Sequence, residues 1–154
     1  MNDWMRLTIL QFFFALAIIP TGLVNANETG ALVLVANVDS KLGELSLRDV
    51  RKAYLGSRVG VNETVLVPLV NRIDDPLYEI FLQKVMFMSS QAYQRQLLRH
   101  FLQGKGQRPA EYRDKSDLLD HLSRNASAVT YIMWTEELNR LGLKVVTVLW
   151  NGES

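Results

Sequence analysis

The stretch Val65–Phe81, VLVPLVNRIDDPLYEIF, constrains this chain more than any other. It opens with the unbroken apolar run Val65–Val70, the pattern of a buried strand, and Pro68 within it points to an edge or an irregularity. Asn71-Arg72-Ile73-Asp74 then leaves the C-terminal end of that strand. Asp75 is a fitting N-cap and Pro76 a fitting first helical residue. The helix that follows places Leu77, Ile80, Phe81 and Val85 at spacings of three and four, which makes one buried face. A strand feeding a capped helix is half of a βαβ unit. In open α/β sheets ligands gather outside this end of the strands, where helix N-termini present free N–H groups. Arg72 and Asp74 stand at that place, although an Arg and an Asp two apart in a loop are more often an ordinary solvated pair.

The rest of the chain extends the same alternation. Ala31–Val38 is a second continuous apolar run, expected as a strand covered on both faces. Ser46 caps a helix with Asp49 as its capping-box partner, Leu47, Val50, Ala53 and Tyr54 form the buried stripe, and Gly56 ends it. Residues 57–64 are turn-like. After the helix over 76–87, Ser89 starts another whose inner face is expected to hold Tyr93, Leu97, Leu98, Phe101 and Leu102. Gly104-Lys105-Gly106 breaks it. Ser116 caps a short helix with Asp117 near its positive end and Leu118, Leu119 and Leu122 inside. Ala128–Met133 is a strand, Thr135 caps a helix through Leu141 that Gly142 stops, and Lys144–Leu149 is the last strand. Strands alternating with helices predict an α/β fold with a mainly parallel sheet flanked by helices.

The chain begins with a targeting pattern. Leu7–Ile19 is an apolar run of 13 residues interrupted only by Thr8 and Gln11, Arg6 precedes it, and Val24-Asn25-Ala26 fits the small-x-small cleavage rule. The expected division is therefore a signal peptide over 1–26 and a single domain over 27–154. The alternative is an uncleaved anchor, for which Leu7–Val24 is short and contains Pro20 and Gly22. The 128 residues left after cleavage suffice for a real core. With no cysteine there is neither disulfide nor thiolate chemistry, and an exported chain without staples suggests a bacterial periplasm. The net charge of +1 gives no argument for nucleic acid. Three Asn-x-Ser/Thr triplets, at Asn27, Asn62 and Asn125, carry meaning only in a eukaryotic secretory route.

Four segments taken together resemble a known family. Leu45-Ser46-Leu47-Arg48-Asp49-Val50-Arg51-Lys52-Ala53-Tyr54-Leu55-Gly56, Val67-Pro68-Leu69-Val70-Asn71-Arg72, Gly104-Lys105-Gly106 and Ser127-Ala128-Val129-Thr130-Tyr131-Ile132 are similar, in order, to segments of the phosphate-type periplasmic substrate-binding proteins of ABC transporters. The similarity runs from about Ala31 to Leu149. It implies about one lobe of a two-lobed, type II periplasmic binding fold, without the upstream half of the other lobe. By this resemblance the domain is linked to phosphate uptake and takes phosphate or another small oxyanion. Arg72 supplies charge-assisted hydrogen bonds, and Asp74 orients Arg72 or accepts a proton from a protonated ligand. Asn71 and the first N–H groups of the helix after Asp75 complete the shell. The chain departs from the family after Asp74: Pro76, Leu77 and Tyr78 stand where a Ser-Gly-Thr sequence touches phosphate, so a hydroxyl and an N–H are lost, and Asp75 adds a second carboxylate. The runner-up reading is a ligand-free protein-interaction module serving an envelope complex or sensor.

No enzyme is expected. His100 and His121, the only histidines, lack partners at metal spacing, no nucleophile–base motif occurs, and no cofactor is implied. Lys105 and Arg108 in the Gly-rich loop can form a small anion site with backbone N–H groups, or simply mark a solvated helix exit. Contact with a membrane is expected only through an uncleaved leader.

Overall fold

The run Ala31–Val38 becomes β1 (Leu32–Asn37), an inner strand of a five-stranded sheet. The computed structural model describes residues 30–152, so the leader expected over 1–26 lies outside the described residues. Then follow α1 (Leu47–Tyr54), a hairpin of β2 (Gly60–Val61) and β3 (Thr64–Val65), β4 (Val67–Asn71), α2 (Asp75–Ile80), a π-helical segment (Phe81–Met86) and α3 (Ser90–Leu102). The chain ends with β5 (Ala110–Tyr112), α4 (Lys115–Arg124), β6 (Ala128–Met133) and β7 (Leu143–Trp150). The sheet order is β5-β4-β6-β1-β7. β4 pairs parallel with β5 and β6, while β1 runs antiparallel to both β6 and β7, so four of the five strands point one way and β1 alone is reversed. The mainly parallel α/β sheet is therefore present.

Both faces of the sheet are covered, which is why β1 has no polar alternation. Leu32, Leu34 and Ala36 join the core beneath α1, the π segment and α3, whereas Ala31, Val33 and Val35 pack with Leu118 and Leu122 of α4. The centre of the larger core is aromatic. Phe81 stacks on Tyr131 with ring centroids 3.8 Å apart, and Tyr54 lies tilted against both at 4.8 and 5.8 Å. The expected burial of Phe81 is met: it is 0% exposed.

Several expectations are corrected. The run Val65–Val70 is not one strand. Asn62 and Glu63 both take positive φ, 47° and 67°, the twist a tight hairpin turn requires, and this pulls Thr64–Val65 into pairing with β2. β5 was not expected, because three residues of mixed polarity carry no periodic signal. The helix expected over Thr135–Leu141 is a series of turns, in which bonds three residues apart, such as Leu138 N–H to Thr135 O and Gly142 N–H to Asn139 O, take the place of a continuous helical ladder. The cap of α4 is Asp114, not Ser116; its carboxylate accepts from the N–H groups of Ser116 and Asp117. On α3 only Tyr93 and Leu97 are buried, while Leu98, Phe101 and Leu102 are 47, 55 and 74% exposed.

Candidate functional site

β4 and β6 pair only through Val67–Ala128 and Pro68–Val129, although both strands continue beyond those residues. Past that point side chains replace the backbone ladder. The Tyr54 hydroxyl donates to Leu69 O at 3.1 Å and approaches Val129 O at 3.4 Å, and Thr130 Oγ1 donates to Leu69 O at 3.0 Å. The Tyr131 hydroxyl donates to Asn71 O at 2.7 Å, and Asn71 Nδ2 donates to Tyr131 O at 3.2 Å. Burial pushes the phenols of Tyr54 and Tyr131 up, which keeps them protonated and able to donate. The chain leaves β4 towards β5 through α2 and α3 on one face, then returns across β4 to β6 through α4 on the other. The C-terminal ends of β4 and β6 thus form the switch point at which open α/β sheets bind ligands.

Arg72 follows directly on β4 at that point. Its N–H donates to Tyr112 O at 2.8 Å, extending the pairing with β5. Its guanidinium lies over the Tyr78 ring, 4.0 Å from the centroid, and Nη2 donates to Asp75 Oδ1 at 3.1 Å. The Arg72 side chain is 17% exposed, whereas that of Asp75 is 70% exposed. Arg72 Nε is buried and has no partner among the described residues. Burial pulls the Arg72 pKa down, but the bond to Asp75 and the negative charges of Asp75 and Glu111 outweigh it, so the net shift is upward.

The expected site residues come to one place but divide their roles differently. Asn71 is 4% exposed and both ends of its amide serve the fold, since Oδ1 also accepts from the Ile73 N–H at 3.1 Å. It positions the strand end. Asp74, not Asp75, is the N-cap: its carboxylate accepts from the Leu77 N–H at 3.4 Å. Asp75, not Asp74, holds Arg72. Pro76 lies in the first turn without an N–H, and Tyr78 N–H is bonded to Asp74 O, so the chain's own carboxylate and backbone use most of the donors an anion needs. Sequence reasoning missed Tyr78 as the platform for Arg72. It also missed Gln94, whose Nε2 donates to Glu111 Oε1 at 3.3 Å and approaches the Tyr78 hydroxyl at 3.5 Å. The Arg72/Asp75 spacing of three was the available signal for the first pair; Gln94 had none.

The fold has counterparts among solved structures. The chain superposes on an ABC-type phosphate transport receptor from Vibrio cholerae with a TM-score of 0.52 and 12% identity, covering 77% of this chain and 46% of that one. The chain has the fold of one lobe of a phosphate-type periplasmic binding protein. A protein described as a possible phosphate binding protein, from Planctomyces limnophilus DSM 3776, matches with a TM-score of 0.50 and 12% identity over 76% of this chain and 40% of its own. This lobe-like chain thus spans less than half the length of either protein. No family model and no curated protein matches the sequence. Among the described residues no helix is long and apolar enough to cross a membrane, and no group of three or more His, Asp or Glu side chains is placed to hold a metal.

Proposed function

We propose that this domain is an exported substrate-binding-like lobe that takes a small anionic group at Arg72. One observation carries the reading. Arg72 stands at the switch point of the sheet, fixed by the Tyr78 ring, and its one ion-pair partner among the described residues is a carboxylate 70% exposed that a ligand can replace. The likeness to a phosphate transport receptor supports an oxyanion as the class. The carboxylates of Asp74 and Asp75 favour a singly charged group over a phosphate dianion, because each added negative charge meets two others nearby. A carboxylate fits, as does a singly charged phosphate whose P–OH donates a hydrogen bond to Asp75. The leader pattern over 1–26 supports a mature chain beginning at Asn27 in the periplasm, which N-terminal mass spectrometry of the exported protein tests.

The binding test is calorimetry with phosphate, sulfate and small carboxylates on the mature chain. Binding by at least one of them, weakened about ten- to a hundredfold in Arg72→Ala, is the expected result. No heat from any of them at millimolar concentration removes the reading.

A second reading rests on α3. Leu98, Phe101 and Leu102 lie at i, i+3 and i+4, so they form one exposed apolar stripe. In this reading the domain is a protein-interaction module and that stripe meets an envelope partner. Anion binding with full retention of function in a Leu98→Ser/Phe101→Ser variant argues against it.

A further inference from the structure

A second place on the molecule is built for negative charge. At the opposite end of β4 from Arg72, a cleft of about 720 Å³ lies between the start of β4, the end of α1 and the segment Gly104–Ala110. Arg58, Lys105, Arg108 and His121 line it, and its lining contains no Asp or Glu. The chain as a whole is balanced, with 17 Lys and Arg against 16 Asp and Glu, so three cations without one carboxylate are a local departure. The ion pairs among the described residues are Lys52–Asp49, Arg72–Asp75 and Arg124–Asp120, so none of the three cleft cations is paired with a carboxylate among the described residues. Glu111, next to the lining in sequence, accepts from Gln94 instead.

The cleft has fixed walls. Residues with N–H groups alternate along β4: Val67 N–H points to Ser127 O on the β6 side, and Arg72 N–H points to Tyr112 O on the β5 side. Pro68 therefore faces the β5 side, at a level β5 does not reach, since pairing there starts at Leu69–Ala110. That gap in the sheet edge, floored by Val65–Leu69, is the apolar wall of the cleft. Opposite, Gly56 and Gly106 pack backbone to backbone: a Cβ on Gly106 would stand 2.0 Å from Gly56 O, and Gln107 N–H donates to Gly56 O at 3.1 Å. This contact holds the loop carrying Lys105. Arg108 is held as well, by donation from Nη2 to Gln94 Oε1 at 2.6 Å. Tyr112 Oη and His121 Nδ1 are 2.6 Å apart, which leaves the other ring nitrogen of His121 uncommitted. The N–H groups of Gly104, Lys105 and Gln107 are bonded within the chain, so the positive charge here rests chiefly on side chains.

We propose that this cleft binds a phosphorylated small organic molecule, with Arg58, Lys105 and Arg108 on the phosphate and the Val65–Leu69 wall against its organic part. The volume is in the range of small-molecule sites and far exceeds a lone oxyanion. The proposal is independent of anion binding at Arg72.

The test is calorimetry of the mature chain with three probes, ADP, glucose 6-phosphate and inorganic pyrophosphate, alongside adenosine and glucose as uncharged controls. Binding of at least one phosphorylated organic probe, tighter than pyrophosphate and absent for its uncharged control, is expected. Lys105→Gln and Arg108→Gln should each weaken it about tenfold or more, with melting temperatures unchanged. Arg72→Ala should leave it unchanged, which separates this cleft from the switch-point site. Silence from all three probes at 5 mM overturns the proposal, as does binding that Arg72→Ala removes and the two Gln variants leave intact.

Discussion

Asn71 and Tyr131 exchange a pair of hydrogen bonds, Nδ2 to Tyr131 O at 3.2 Å and the Tyr131 hydroxyl to Asn71 O at 2.7 Å. These bonds join β4 and β6 where their ladder has stopped, one residue before Arg72. Tyr131→Phe should leave Asn71 O without this donor and lower stability by about 1–2 kcal/mol in urea melts. The same variant should weaken any ligand response at Arg72, because the strand end is then less well held. An unchanged urea midpoint contradicts this account of the clasp.

Phe81 packs against both Tyr54 and Tyr131 and has no exposed surface. Phe81→Ala should therefore lose about 3–5 kcal/mol in chemical denaturation. A loss well under 1 kcal/mol means that the π segment can repack around the gap.

Asp75 competes with any anion for Arg72. Asp75→Asn should tighten binding of a small carboxylate or oxyanion several-fold, since it removes a rival carboxylate and a repulsive charge. If Asp75 instead accepts a hydrogen bond from a phosphate P–OH, the same change should weaken phosphate and leave carboxylates improved. Calorimetry of wild type and variant with both ligand types distinguishes the outcomes.

Gly106 and Gly104 differ in why they are glycine. Gly106→Ala drives a Cβ into Gly56 O and should cost about 1–3 kcal/mol. Gly104 has open space around it but a φ of +64°, so Gly104→Ala should cost about 1 kcal/mol through backbone strain alone. Thermal melts of the two variants check the order.

The Asp114 carboxylate accepts from the Ser116 hydroxyl and from two backbone N–H groups, and these bonds lower its pKa from the ordinary value of 3.8. A group lowered in the folded state contributes stability that is present above its unfolded value and is lost as pH falls through the folded value. Asp114→Asn should thus be less stable than wild type at neutral pH, and the difference should vanish under strong acid. A difference independent of pH contradicts the assignment of the cap.

The elements set by local chemistry were readable in the sequence. The Ser46 cap with Asp49, the unbroken run that becomes β1, the helix after Asp74, and the burial of Phe81 each follow from neighbours a few residues apart. Arg72 was readable as a site candidate because a strand end followed by a helix start is itself a local pattern. The partners of Arg72 were less legible. Asp74 and Asp75 are both good caps, and only the path of the chain out of β4 decides which one caps and which one pairs with Arg72. The fate of Leu98, Phe101 and Leu102 likewise depended on how α3 rolls onto the sheet, since apolar spacing defines a stripe but not what faces it. The three-residue β5, the meeting of Gly56 with Gly106 and the approach of Arg58 to Lys105 and Arg108 join residues far apart in the chain. Tertiary packing alone decided these, because no local periodicity records which distant backbone a segment will meet.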